Sequence, residues 1–256
     1  MQRIEKTFTD LKKAGRKALV GFLTAGDPDE TASLEHLRTA LREGVDILEL
    51  GVPFSDPTAD GPTIQAAGQR ALAAGMNLKK TLRLAAALRL DFPHKPIVLF
   101  GYANPFLTYG YENLARDAAT VGVDGLLVVD IPHEEAGELR GLLEVRGLCL
   151  IPLVAPTTPV ERARMILRGA RGFVYYVMVK GVTGARAALA TDAAEHLTAL
   201  RHCTQLPIAA GFGIGSGEQA RECARYADGV VVGSALVAAA QEGRLAALVR
   251  ELHGSL

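Results

Sequence analysis

Cysteine is scarce in this chain of 256 residues, and Cys149, Cys203 and Cys223 lie far apart. Their odd number and the lack of any C-x-x-C pair suggest neither a disulfide framework nor a thiolate metal site. No excess charge of either sign is present: 28 basic residues balance 28 acidic ones, without a basic block. Nucleic acid and anionic membranes are therefore not expected as partners. The longest apolar tract, Gly229 to Ala240, is only about 12 residues long, contains Gly233 and Ser234, and is too short to span a bilayer. The first residues, Met1-Gln2-Arg3-Ile4-Glu5-Lys6, are charged where a signal peptide would be apolar. The six histidines (36, 94, 133, 196, 202 and 253) form no ligand-spaced pair and are expected on solvated surface. A reduced, cytoplasmic, soluble protein is the expectation. With no linker, charge run or low-complexity stretch to divide it, residues 1–256 are expected to form one domain.

Apolar residues are plentiful, at 49% of the chain. Eight short runs stand out: Ala18–Leu23, Asp46–Leu50, Ile97–Phe100, Gly125–Val129, Leu148–Val154, Phe173–Val177, Pro207–Ala210 and Gly229–Val232. Most are continuous rather than alternating, the pattern of parallel strands covered on both faces. Helical periodicity fills the gaps at Glu30–Glu43, Thr63–Ala74, Leu78–Leu90, Tyr111–Val121, Glu134–Glu144, Glu161–Arg168, Ala193–Leu200 and Gly217–Arg225. Further helices are expected at Ile4 to Ala14 and Arg244 to His253. Eight strand–helix units in a chain of this length predict an α/β fold, a (β/α)8 TIM barrel with an extra N-terminal helix and additional helices.

The stretch Leu48 to Gln65 carries the chemistry. Glu49 interrupts an apolar strand near its C-terminal end, and Asp60 stands at the lip of the Gly- and Pro-rich loop that follows, just before a helix opened by Pro62. A carboxylate in an apolar run is costly to bury unless it is paired, hydrogen-bonded or neutral. One reading makes Glu49 an internal ion-pair partner or a solvent-facing residue, and Asp60 the cap of the Pro62 helix. The other has one carboxyl, tuned by burial, move a proton while the second stays ionised and stabilises positive charge.

Two other regions point to function. The segment Met178 to Asp192, rich in glycine and small residues, is long enough to close as a lid over the strand ends. Gly211-Phe212-Gly213-Ile214-Gly215-Ser216-Gly217 after the seventh strand and Gly233-Ser234 after the eighth are suited to bind an anion through backbone N–H groups and a helix N-terminus. Other motifs fail. A dinucleotide fingerprint starting at Gly211 would need glycine where Ser216 stands, and a zinc-protease helix starting at His133 would need histidine at Gly137. No lysine lies clearly inside a strand, which disfavours a Schiff-base aldolase. Of Tyr175 and Tyr176, one must face the barrel interior.

The run Leu48-Glu49-Leu50-Gly51-Val52-Pro53-Phe54-Ser55-Asp56-Pro57-x-Ala59-Asp60-Gly61-Pro62-Thr63-Ile64-Gln65 resembles the signature of the tryptophan synthase alpha chain. The resemblance extends through Phe22-x-Thr24-Ala25-Gly26-Asp27-Pro28, Tyr102-x-Asn104-Pro105, Gly181-Val182-Thr183-Gly184, Gly211-Phe212-Gly213-Ile214 and Gly233-Ser234-Ala235. It implies a lyase that splits indole-3-glycerol phosphate into indole and glyceraldehyde 3-phosphate by a retro-aldol step. On this resemblance Glu49 is the general acid/base and Asp60 stabilises the indolenine cation. Phe22, Phe100, Leu127, Tyr175 and Phe212 form the indole pocket. Gly184, Gly213, Gly233 and Ser234 hold the phosphate, and Thr183 reaches Asp60 when the lid closes. No metal and no cofactor is implied in this chain. Pyridoxal phosphate belongs to a beta chain, with which an alpha2-beta2 tetramer is expected through Pro53 to Asp56 and the Asn104-Pro105 loop. The chain departs from the family's commoner residues at Gly21, Phe100 and Val179-Lys180. A stand-alone lyase, a mainly regulatory subunit, and another phosphate-binding barrel such as indole-glycerol-phosphate synthase remain as alternatives, the last weakened by the missing strand-end lysines.

Overall fold

The computed structural model describes residues 2–177, 195–211 and 213–256. Helix α1 (Arg3–Lys13) leads into strand β1 (Ala18–Thr24), followed by α2 (Glu30–Glu43), β2 (Ile47–Gly51), α3 (Pro62–Ala73), α4 (Leu78–Asp91) and β3 (Ile97–Gly101). Then come α5 (Ala103–Tyr109), α6 (Tyr111–Thr120), β4 (Gly125–Val128), α7 (Gly137–Val145), β5 (Cys149–Leu150), β6 (Leu153–Val154), α8 (Val160–Leu167) and β7 (Val174–Val177). After a helical stretch at 195–201, the chain ends with β8 (Ile208–Gly211), α9 (Gly217–Cys223), β9 (Gly229–Val232), α10 (Ser234–Gln241) and α11 (Leu245–His253).

All eight sheet pairings are parallel, in the order β5-β4-β3-β2-β1-β9-β8-β7-β6. The two end segments are halves of one run, Leu148–Val154. Its first half pairs with β4 (Gly125↔Cys149) and its second with β7 (Leu153↔Tyr175), so the sheet closes on itself as a barrel of eight strands. Pro152 explains the split. It has no N–H for the ladder, while its carbonyl still accepts from the Tyr175 N–H at 2.9 Å.

Period-two alternation divides each strand between two cores. Ala18, Val20, Ile47, Val98, Leu127, Cys149, Ile151, Phe173, Ala209 and Val231 fill the barrel, joined at its lower end by Ile4 and Phe8 of α1. The Phe8 and Phe173 rings lie 5.7 Å apart between centroids. The N-terminal helix is therefore a stopper at this end of the strands. Tyr175 follows the inward set and Tyr176 the outward set, fully buried among the helices.

The lower rim has its own repeated device. Asp46, Asp124 and Asp228 each precede a strand and accept the N–H of a neighbouring strand's residue: Leu19 at 3.0 Å, Ile97 at 2.9 Å and Ile208 at 2.9 Å. Each aspartate N–H in turn donates to the carbonyl of that same residue. This is why β2 starts at Ile47 rather than at Asp46.

Two expectations need correction. Ala103–Tyr109 is helical although the sequence reads as a loop there. Pro105 sits in the first turn, where N–H groups have no intrahelical partner, and the Ala103 N–H donates to Asp130 at 2.7 Å. The histidines are also not generally solvated: only His94 and His202 are exposed. His196 is held on both sides, Nδ1 against the Tyr176 hydroxyl and Nε2 against the Thr158 carbonyl, each at 3.0 Å.

Candidate active site

Glu49 lies on the inward face of β2, in register with Phe22 of β1 and Val98 of β3. Its side chain is completely buried, and neither carboxyl oxygen has a hydrogen-bond partner among the described residues. Neither the ion-pair nor the solvent-facing reading survives. Burial alone pushes its pKa up to about 8, so at neutral pH the group is a carboxylic acid. Such a group is costly in a stable core and useful where a proton must be given up.

Asp60 lies above it at the rim. Its side chain does not cap α3; the cap position is Gly61, which makes no side-chain bond. The loop is held by bonds on its backbone instead: Asp60 N–H to the Pro57 carbonyl at 3.2 Å, and Gln65 Nε2 to the Asp60 carbonyl at 2.9 Å. This leaves the carboxylate free to face the cavity. Burial raises its pKa, and a hydrogen bond from Tyr102 partly offsets that. The Tyr102 hydroxyl also accepts the Ala59 N–H at 3.0 Å, so one phenol fixes the backbone and the side chain of the Asp60 loop together. Two residues that sequence reasoning passed over as mere motif members therefore belong to the site: Tyr102, and Thr24, whose buried hydroxyl has no partner among the described residues and lines the same cavity. Their hydroxyl chemistry gave the only signal. Tyr102→Phe keeps the ring and removes both bonds. We expect a stability loss of about 1 kcal/mol per bond in urea unfolding and a further rise in the Asp60 pKa, read by carbon NMR titration.

The walls between the carboxyls are aromatic. Phe22 and Phe100 meet edge to face at 5.0 Å, and Phe100 lies 6.3 Å from Tyr175. Leu127 sits opposite Phe100 in the ladder. Burial pushes the Tyr175 phenol well above its ordinary range, and Glu49 and Asp60, both within electrostatic reach, push it the same way. Gly51 makes room for this packing: a Cβ there would come within 2.5 Å of the Phe22 ring. A small cavity bounded by Phe22, Gly51, Asp60, Ile64, Phe100 and Tyr102 opens at this point.

The glycines lie on the adjacent side. β8 and β9 are neighbours, so Gly213 and Gly233 follow paired strand ends. Gly213 has a φ of 66°, and Gly233 lies beside Phe22 and Ile64 at the start of α10, with Ser234 exposed. The helix N-terminus adds a favourable field of roughly 0.3–1 kcal/mol for an exposed anion. The structure thus brings together Glu49, Asp60, Phe22, Phe100, Leu127 and Tyr175, with Gly233 adjoining them. Thr183, Gly184, Phe212, Val179-Lys180 and the 178–192 segment lie outside the described residues. Among the described residues no group of three or more His, Cys, Asp or Glu side chains is placed to hold a metal ion, and no helix is long and apolar enough to cross a membrane.

Fold and site together define a (β/α)8-barrel protein with two carboxyl groups at its mouth, one of them buried and protonated. Residues 8–252 match the family model for the tryptophan synthase alpha chain. The chain is 52% identical over 254 residues to the tryptophan synthase alpha chain of a Geobacter species, covering 99% of this chain and 95% of that one. It is 49% identical to the Geobacter sulfurreducens protein of the same name, covering 98% and 95%. Among solved structures, a chain of Mycobacterium tuberculosis tryptophan synthase in its aminoacrylate-bound form superimposes with a TM-score of 0.91 at 36% identity, covering 100% of this chain and 99% of that one. This chain belongs to the tryptophan synthase alpha chain family, whose members are lyase-type enzymes of tryptophan biosynthesis.

Proposed function

We propose that the chain cleaves indole-3-glycerol phosphate to indole and D-glyceraldehyde 3-phosphate, with Glu49 as general acid and base and Asp60 as the stabilising carboxylate. The observation that carries this reading is the buried Glu49 carboxyl, which has no hydrogen-bond partner among the described residues and is protonated at neutral pH. Breaking a carbon–carbon bond requires an electron sink. Glu49 gives its proton to the indole carbon that bears the glycerol phosphate chain, and the ring becomes a cationic indolenine. Asp60 accepts the indole N–H and offsets that charge. The Glu49 carboxylate so formed then takes the proton of the adjacent side-chain hydroxyl. The carbonyl of the aldehyde forms, the carbon–carbon bond breaks, and its electron pair returns to the ring.

Phe22, Phe100, Leu127 and Tyr175, with Phe212, are assigned to the indole. Gly213, Gly233 and Ser234, with Gly184, are assigned to the phosphate, and Thr183 to lid closure over Asp60. Residues 1–256 are read as one catalytic domain. No cofactor is assigned to this chain; pyridoxal phosphate is assigned to a beta chain that receives the indole in an alpha2-beta2 assembly. The surface for it is Pro53 to Asp56 together with α5, where Leu107 stands exposed.

The test is turnover of indole-3-glycerol phosphate by the purified chain, with and without a matching beta chain. Weak activity that rises strongly with the partner supports the subunit reading. Strong activity indifferent to the partner makes the chain a free-standing indole producer, and no activity under either condition overturns the assignment.

A further inference from the structure

A well-formed cavity also lies away from the barrel mouth. It has a volume of about 220 Å³ and lies on the outer wall, between α7 and α8, over the broken strand. Leu150 and Pro152 form its floor, and both remain half-buried rather than covered by helices. Ala136, at the start of α7, and Arg140 and Glu144 along it, spaced four residues apart, line one side, and Arg162 and Ile166 line the other along α8. Arg168 and Arg171 stand at the end of α8.

The charge around this groove is not balanced. Arg162 is neutralised by Glu134 on the neighbouring loop, and Arg140 is turned toward the ring and carbonyl of His133, 3.1 Å from each. The guanidinium groups of Arg168 and Arg171 have no hydrogen bond or ion pair among the described residues, although the Arg168 backbone N–H donates to the Met165 carbonyl at 3.4 Å. Glu144 is the only carboxylate in the lining. An apolar floor with unpaired guanidinium groups at one end suits a ligand with an apolar body and an anionic head, since guanidinium binds carboxylate, sulfonate or phosphate oxygens two at a time.

We propose that the groove between α7 and α8 is a second binding site, for a small organic anion with an aromatic or aliphatic body. It is separate from the barrel mouth and independent of the reaction assigned there. A ligand seated on Pro152 would press on the segment whose carbonyl holds the Tyr175 N–H, so the site adjoins the wall of the active cavity through one backbone bond.

The probe is anilinonaphthalene sulfonate, titrated by fluorescence into the full chain at neutral pH. The expected result is saturable binding at one molecule per chain, undiminished by saturating glycerol 3-phosphate. The double variant Arg168→Ala/Arg171→Ala should weaken it by about tenfold or more. Leu150→Trp, which fills the floor, should abolish it. Circular dichroism and the thermal midpoint confirm that both variants are folded. Absence of saturable binding overturns the proposal, as does binding that both variants retain or that glycerol 3-phosphate displaces. Dimerisation of the chain in sedimentation, lost in the same variants, would show that a second copy covers the groove and would overturn it equally.

Discussion

Glu49→Gln is expected to lower turnover of indole-3-glycerol phosphate by roughly 10²–10⁴-fold or more, the range a positioned acid/base contributes. Fold and binding of glycerol 3-phosphate should be spared. Glutamine has nearly the shape of the protonated acid, so the aromatic walls need not move, but it has no proton to give at the ring carbon. Single-turnover assays and a phosphate-analogue titration separate the two effects. Wild-type turnover with an unchanged pH profile in this variant would remove Glu49 from the mechanism.

The same substitution has a consequence for stability. In the unfolded chain the Glu49 carboxyl ionises near 4.5, and in the folded protein near 8. Between those values the native state holds a proton that the unfolded state has released. Stability contributed through this group therefore falls as pH rises through that window, by about 1.4 kcal/mol per pH unit, and is flat on either side. Glu49→Gln removes this slope. Urea unfolding of the two proteins should agree most closely below about pH 4.5 and diverge toward pH 8, with the variant the more stable. Equal slopes in both proteins would show that the carboxyl is ionised or partnered in solution.

Asp124→Ala should cause the largest loss of stability at the opposite end of the barrel. The Asp124 carboxylate is 7% exposed and takes three bonds, from Arg3 at 2.9 Å, Arg89 at 2.8 Å and the Ile97 N–H at 2.9 Å. Arg89 is itself mostly buried, so removing its partner leaves an uncompensated positive charge as well as a strand N–H without an acceptor. A cost of about 3–5 kcal/mol is expected, measured by urea unfolding at neutral pH. Asp124→Asn, which can still accept from Ile97, should cost less. Turnover per folded molecule should not change in either variant, because the lower rim takes no part in the chemistry. A loss of turnover without loss of stability would reverse that division of labour.

Sequence alone determined the eight apolar runs, the helices between them, and the two carboxylates in the second strand–loop unit. Burial on both faces writes itself into continuous runs of apolar residues, and a carboxylate inside such a run is visible without coordinates. The sequence left the role of Glu49 open between ion pair, solvent contact and acid, since nothing local states what lies across the barrel. Only the tertiary structure surrounds it with Phe22 and Val98, gives it no partner among the described residues, and so makes it an acid at neutral pH. The link between Tyr102 and the Asp60 loop, the Asp130 bond that starts α5, and the Pro152 break that joins β4 to β7 through one divided strand were likewise decided by packing. Each joins residues from different strand–helix units, and periodicity records only which way a residue faces, not which neighbour it meets.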